Sequence, residues 1–492
     1  MRASRHLSNR NGGNLCLPGR TTESDMPLTA MGLVFWPLSF IFFFRKNPQR
    51  LLELTLVAGI FQAAAVLVMG GLGLQPVMAL GMLFIAFMSL QLLLGVKFPA
   101  VGPIFKFCTP LFLSFFWALL GSILLPRLFE GVVLVWPQKL DDVAARVPLS
   151  PTRGNMTQDC YLILDLIMFV MTVFFLTRRE ADPRRLYNAY LVGAALACVV
   201  GFWEMAHRLV GSIPFPKEFF YSNPGWAVLD EQMSGQVPRI NATFTEPSAC
   251  ATFLIGTLYS TVWSTLRGYG NWATRLMILL STLCLLMTTS TTGYAAMLVG
   301  LALLIVYAVL SRERRLFRRL MVFIAGGILC MGMTTLALTA FAPDVIKAAT
   351  EVILETQDKK QSSSYEERTQ KDVDSYQLAF DTYGLGTGWG SDRSSSLIPG
   401  FLATIGVVGI LLLVIWNGSL FLKIYRTLKT ATSERSLDAW IIEATFTALL
   451  GRTVATLISG PVLGTMDFYV LLAMLVSALI RLQTRAGKRM SV

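Results

Sequence analysis

Arg239 and Glu246, in the stretch RINATFTEPSACA (239–251), are the residues whose types and spacing point most directly to chemistry. An arginine stays charged, and its planar fork donates two parallel hydrogen bonds, a match for phosphate oxygens. A carboxylate nearby can move a proton or hold the guanidinium in place. Glu246 is followed by Pro247, which suits the first residue of a helix because its missing N–H would be unpaired there anyway. From Ser248 to Leu266 the chain is apolar or small. Glu246 is therefore expected at the N-terminus of a membrane helix, where the dipole favours an anion. Ser248, in the first turn, is a candidate substrate contact. The competing reading is a mutual Arg239–Glu246 salt bridge that only caps the helix.

A second stretch, GLGTGWGSDRSSS (384–396), combines closely spaced glycines with Arg393 and the hydroxyls of Ser394, Ser395 and Ser396. It has no lysine and is not a Walker A loop, but glycines let a backbone approach a ligand closely. It reads either as a phosphate- or sugar-binding corner or as a flexible re-entry into the membrane. Arg368, in YEERTQKD, is a further candidate, against the plainer reading of a solvated helix charge. Trp136, Trp226, Tyr383 and Trp389 read as an interfacial aromatic belt or as sugar-stacking platforms.

The elements that must position these groups follow from composition. Of 492 residues, 54% are hydrophobic and 15% charged, with a mean hydropathy of +0.58, whereas soluble domains carry about 25% charged residues. The net charge of +12 lies in short clusters between apolar runs, a membrane pattern and not a nucleic-acid patch. Seven scattered cysteines without CxxC or Cys/His spacing, and only two histidines, His6 and His207, indicate neither a zinc site nor a disulfide framework, so free thiols are expected. A span needs about 20 residues. Runs of that kind lie near 51–70, 75–95, 108–126, 158–176, 186–206, 247–266, 273–289, 293–310, 319–341, 397–422, 437–458 and 462–481. A further apolar run, 28–44, makes thirteen if it crosses. The fold class is thus all-α, a polytopic membrane protein of 12–13 helices, with a polar tail at 1–27, one membrane domain at 28–481 and a basic tail at 482–492.

Alternating these runs puts every basic cluster on one side, from Arg45, Lys46 and Arg50 through RERRLFRR (312–319) to Arg485, Lys488 and Arg489. That side is the cytoplasm. The opposite side receives the long connections 127–157, 207–246 and 342–396. The last holds ten acids against six bases, net −4. Apolar residues at helical spacing predict helices over Val345–Lys360 and Glu366–Phe380. No internal repeat and no paired broken spans of the transporter kind are evident. Inside the spans sit Asp165, Glu204, Arg452 and Asp467 in the outer halves and Glu443 nearer the inner end. Buried charges face cavities or pair, so Arg452 is either a substrate contact or the partner of Asp467 or Glu443.

RINATFTEPSACATFL resembles the arginine–phenylalanine–Glu-Pro-Ser segment of bacterial exopolysaccharide and O-antigen polymerases. The stretch SxxGYAAMLVGLALLIV, from Ser290 and Gly293, is similar to the following span of that superfamily. GLGTGWGSDRSSSLIPGFLATIGVVGILLL resembles its Gly-x-Gly, Arg-x-Ser-Ser, Gly-x-x-Gly stretch, with Gly406 and Gly409 in the later glycine positions. The resemblance runs in order over roughly 150–481. It implies a metal-independent, cofactor-free glycosyltransferase of the inner membrane with a large helical periplasmic loop. Such an enzyme transfers a glycan from undecaprenyl diphosphate to a lipid-linked repeat unit. Glu246 and Arg239 are then catalytic, and Arg393, Arg368, Ser248, Ser394, Ser395 and Arg452 bind substrate. The implied partners are the lipid-linked oligosaccharide, bilayer lipids, a chain-length regulator and a flippase, with no nucleic acid. An O-antigen or protein oligosaccharide ligase of the same superfamily is the alternative, although 342–396 lacks the histidine that the ligases carry in their late outer loop. An exporter or flippase of a lipid-linked glycan is the alternative from another class.

Overall fold

The computed structural model describes residues 28–99, 101–137, 145–234, 237–341, 350, 363–430, 436–460 and 464–490. Its helices, in chain order, are α1 (Ala30–Phe44), α2 (Pro48–Ala58), α3 (Pro76–Leu93), α4 (Val101–Leu128), α5 (Arg153–Leu176), α6 (Pro183–Val210), α7 (Lys217–Phe220), α8 (Pro247–Arg267), α9 (Trp272–Met287), α10 (Thr291–Leu310), α11 (Arg314–Phe341), α12 (Ser363–Asp381), α13 (Leu397–Thr430), α14 (Leu437–Ile458) and α15 (Met466–Met490). The only strands among the described residues form three short antiparallel hairpins. The chain is an all-α polytopic membrane protein. Ten of the described helices are long and apolar enough to cross a bilayer.

Local chemistry explains most helix starts. Asn47 and Asp182 cap α2 and α6 through their side chains, each followed by a proline at the first helical position. Asn271, Ser290 and Ser436 cap α9, α10 and α14 by accepting a backbone N–H three residues on. Along the core, α8 packs on α14 where Gly256 faces Gly451 and the two backbones approach closely, a small-residue contact of the kind that joins membrane helices.

The run at 51–70 departs from expectation. Its helix ends at Ala58; residues 59–66 are non-helical, and Leu67–Met69 turns back on Leu72–Leu74. Gly70 and Gly71 both have positive φ, 54° and 85°, the two-residue turn that glycine pairs favour because it matches strand twist. An apolar run alone does not separate strand from helix, and the Gly-Gly pair was the readable signal. The run at 28–44 is helical, but α1 has only 15 residues and α9 only 16, short of a full span. The expected helix over 345–360 lies, apart from residue 350, outside the described residues, as does the tail at 1–27. The one over 366–380 is present within α12. The basic tail continues α15 as helix to Met490.

Ion pairs and caps gather the basic clusters at one end of the bundle. There Arg481 and Arg485 bind Asp438, Arg267 binds Glu443 and Glu313, Arg185 binds Glu53, and Arg319 donates to the Leu266 carbonyl. The hairpins, α7, α12 and the N-terminus of α8 occupy the opposite end. α13 is interrupted at Gly406, with φ 65°. A Cβ there would meet the Gly384 and Leu385 carbonyl oxygens at 2.3 and 2.4 Å. Val407 N–H donates to the Gly384 carbonyl at 2.8 Å, which ties the interruption to the glycine-rich segment. Gly406→Ala is expected to cost at least about 1–3 kcal/mol, because backbone cannot yield as a side chain does. A lower melting temperature in detergent is the readout, and an unchanged one would refute the strain argument.

Candidate functional site

Residues 240–246 enter the protein as irregular backbone, with Ile240 to Phe244 fully buried. Such backbone is tolerated inside a membrane protein only where its polar groups find partners. Glu204 on α6 supplies them: its Oε2 accepts the N–H groups of Asn241 and Ala242 at 3.0 and 2.7 Å. Its Oε1 pairs with Arg208 at 2.7 Å. Thr243 donates its hydroxyl to the Ile60 carbonyl at 2.6 Å, and its own carbonyl accepts the Ala63 N–H at 3.2 Å. Tyr221 donates to the Ala242 carbonyl at 3.2 Å, and burial pushes its phenol up. Segments 59–66 and 240–246 are therefore hydrogen-bonded to each other inside the bundle. Of the two, only 59–66 breaks a run expected as helix, whereas 240–246 belongs to the long connection 207–246.

This loop delivers Arg239 and Glu246 to the start of α8. The capping salt bridge does not form. Glu246 is half-buried at the N-cap position, makes no side-chain cap, and accepts the Ser248 hydroxyl at 2.5 Å. Arg239 donates to Gln232 Oε1 at 2.9 Å and to the Thr288 carbonyl at 3.4 Å. It thereby reaches the α9–α10 corner, where Thr289 has φ 44°, a strained value for a β-branched residue. The Thr289 hydroxyl is buried there, and Asn241 Oδ1 within the 240–246 loop, each without a hydrogen-bond partner among the described residues. Buried polar atoms left open in a native structure mark sites of strain or of ligand contact.

The late corner is built on α12. Asp372 accepts the N–H groups of Ser395 and Ser396 at 2.7 and 3.0 Å and the Ser396 hydroxyl at 2.7 Å. Asp392 accepts the Trp136 N–H at 2.9 Å and the Ser375 hydroxyl at 2.8 Å; burial still holds its carboxyl above the usual range. Asn155 on α5 donates to the Trp389 carbonyl and the Ser391 hydroxyl, both at 2.8 Å. Ser394 is buried and bonds the Ser396 carbonyl at 2.9 Å. Arg393 and Arg368 are exposed and come to one patch, since both help hold the Glu367 carboxyl below its usual range, after the Lys371 hydrogen bond that dominates. Asp372, Asp392, Asn155 and Trp136 were not singled out as organisers of this corner. The i, i+3 spacing puts Asp372 and Ser375 on one helix face, but no spacing linked them to Asp392, Asn155 or Trp136. Asp372→Ala leaves two backbone N–H groups open, at about 1–3 kcal/mol each. Faster proteolysis within 384–396 is the expected result, and an unaltered cleavage rate would count against this role.

Arg452 lies one layer behind the mouth. It binds Asp467 and the Thr465 hydroxyl, both at 2.6 Å, and packs its guanidinium between the Phe253 and Phe468 rings. Glu443 pairs instead with Arg267 at the basic end. The structure thus groups Arg239, Glu246 and Ser248 at one corner, and Arg393, Arg368, Ser394 and Ser395 at another. Both flank the same end of α14: Phe253 of α8 meets Arg452, and the Gly460 N–H donates to the Ser395 carbonyl at 2.9 Å. Among the described residues no hydrogen bond or ion pair joins the corners directly. No protein-family model matches the chain, and no curated protein matches it either.

Proposed function

We propose that the chain is a lipid-linked-donor glycosyltransferase of the polysaccharide polymerase type, working at the periplasmic end of a bacterial inner-membrane bundle. The observation that carries this reading is the state of Glu246. Its carboxylate sits at a helix N-terminus, bonded to a hydroxyl and, among the described residues, to no cation. It is available to an incoming group, whereas a capped salt bridge would have occupied it.

In the proposed step the acceptor hydroxyl attacks the anomeric carbon of the donor. The new glycosidic C–O bond forms as the bond from that carbon to the diphosphate oxygen breaks. Glu246 takes the hydroxyl proton. Undecaprenyl diphosphate leaves already anionic, and Arg239, with Arg393 and Arg368 across the mouth, stabilises the added charge. Ser248 orients the Glu246 carboxylate.

The test is turnover of a synthetic lipid-linked repeat unit by the purified protein in nanodiscs. A ladder of longer glycans with released undecaprenyl diphosphate supports the polymerase. Transfer only to a lipid A core acceptor moves the assignment to the ligases. The irregular backbone at 59–66, bonded to 240–246 inside the bundle, favours one other reading, an exporter or flippase, because non-helical backbone inside a membrane bundle also lines transport cavities. Movement of the intact lipid-linked glycan across a vesicle bilayer, with no bond made, would establish that reading instead.

A further inference from the structure

The run RERRLFRR (312–319) packs five arginines and one acid into eight residues at the basic end of the bundle. Other arginines of that end are matched to carboxylates. Arg50 and Arg185 share Glu53, Arg481 and Arg485 share Asp438, and Arg267 takes both Glu443 and Glu313. Glu313, the one acid of the run, is thereby occupied at 2.8 Å by an arginine from outside it. Arg312, Arg314, Arg315 and Arg318 are exposed, and their side chains make no hydrogen bond or ion pair among the described residues. Arg319 donates to the Leu266 carbonyl at 2.9 Å, which sets the start of α11 against the α8–α9 turn.

These charges share one face. At about 100° per residue, Arg314, Arg318, Arg315 and Arg319 fall within an arc of about 140° on α11, and Leu316 and Leu320 lie beside that arc, buried. Arg314 and Arg318 stand four residues apart, as do Arg315 and Arg319, a spacing at which like charges repel and weaken a helix. Positive charge is enough to orient a membrane chain; that role needs neither one crowded face nor arginine to the exclusion of lysine. The depth is that of lipid headgroups. α11 is apolar and long enough to span from Arg314 to Met333, and Val322, Ile328 and Leu329 are exposed along it. The arginines therefore fill the first two turns, where the acyl chains begin. Trp272, which opens α9 beyond the α8–α9 turn, is 76% exposed, as suits an interfacial tryptophan. Among the described side chains of α11 only Leu316 and Leu320 are buried, so this is the end at which the helix is anchored.

We propose that Arg314, Arg315 and Arg318, with Arg312 beside them, bind the phosphate headgroup of an anionic bilayer lipid whose acyl chains lie along the exposed apolar face of α11. A guanidinium donates two parallel hydrogen bonds to phosphate oxygens and stays charged. Clusters of four or more basic residues where a helix leaves the bilayer attract anionic lipids. The bound headgroup relieves the repulsion among the arginines and steadies α11 against α8 and α10. Glu246 and Arg267 stand at opposite ends of α8, so this site lies at the far end of the bundle from the mouth. It is independent of the glycosyltransferase reading, since charge and geometry alone carry it.

The experiment uses the full-length protein in nanodiscs of phosphatidylcholine, with and without phosphatidylglycerol. Phosphatidylglycerol is expected to raise the melting temperature by several degrees. The combined variant Arg314→Gln, Arg315→Gln, Arg318→Gln should lose that rise. A charge-matched control, Arg45→Gln, Lys46→Gln, Lys97→Gln, removes three exposed cations of the same end that are also without partners among the described residues, and should keep it. A phosphatidylglycerol carrying a diazirine beside its headgroup then maps the site in the wild type, with label expected on 311–323. This arm needs no variant, so it decides alone if the glutamine variant fails to fold. The proposal is overturned if phosphatidylglycerol gives no rise, if the control loses the rise equally, or if 311–323 carries no label. It is also overturned if inorganic phosphate in phosphatidylcholine nanodiscs produces the same rise, which would make the ligand a free anion.

Discussion

Arg239→Ala is expected to abolish polymer formation while leaving the protein at normal abundance in the membrane. Removing one charge-stabilising donor from a reacting centre typically lowers turnover by about 10²–10³-fold. Among the described residues Arg239 donates to Gln232 and to a backbone carbonyl, contacts whose loss leaves no buried carboxylate stranded there. Glu246→Gln is expected to cost a similar or larger factor, about 10²–10⁴-fold for a lost general base. The glutamine still accepts the Ser248 hydroxyl, so its fold should survive. The measurement is glycan chain length on gels beside protein quantity by immunoblot. Wild-type chain lengths in both variants would remove these two residues from the mechanism.

The second large effect is on stability. Glu204→Ala deletes the acceptor of two buried backbone N–H groups and the partner of Arg208 in one substitution. Breaking a buried ion pair from one side costs about 3–5 kcal/mol, and each buried N–H left open adds about 1–3 kcal/mol. These contributions overlap, but even the smaller is a large part of ordinary protein stability. Glu204→Ala is therefore expected to melt well below wild type and to lose activity through the displaced 240–246 loop. Glu204→Gln, which keeps both oxygen and shape, should recover much of the stability. If the alanine variant melts like the wild type, Glu204 does not hold the loop. If glutamine is as damaging as alanine, charge and not acceptor geometry is what the loop requires.

Some of the site was readable without coordinates because its causes are local. Proline after Glu246 placed a helix start there, and α8 begins at Pro247. The alternating basic clusters predicted one basic end, and the ion pairs gather there. Gly406 stood out by motif and turns out to occupy a backbone conformation that a side chain would strain. The residues that were missed act across long stretches of chain. Glu204 meets Asn241 and Ala242 from another helix, and Asp372 meets Ser395 from across a turn. Neither contact leaves a periodic trace. The acids of 342–396 counted only as a net charge of −4, whereas Asp372, Asp374 and Asp392 are committed to particular donors.

Hydropathy, capping residues and charge distribution act over one or two helical turns. From them alone follow an all-α membrane chain, the starts of α6, α8, α10 and α14, and a common side for the basic loops. Pairing among buried groups depends on which helices pack together, and that is set by shape and small-residue contact over the whole bundle. Only packing assigned Arg452 to Asp467 rather than Glu443, freed Glu246 from Arg239, and turned 59–66 from half a helix into irregular backbone bonded to 240–246. The reason is energetic: a buried charge or backbone amide must find its partner wherever the fold provides one, and that partner need not be near in sequence.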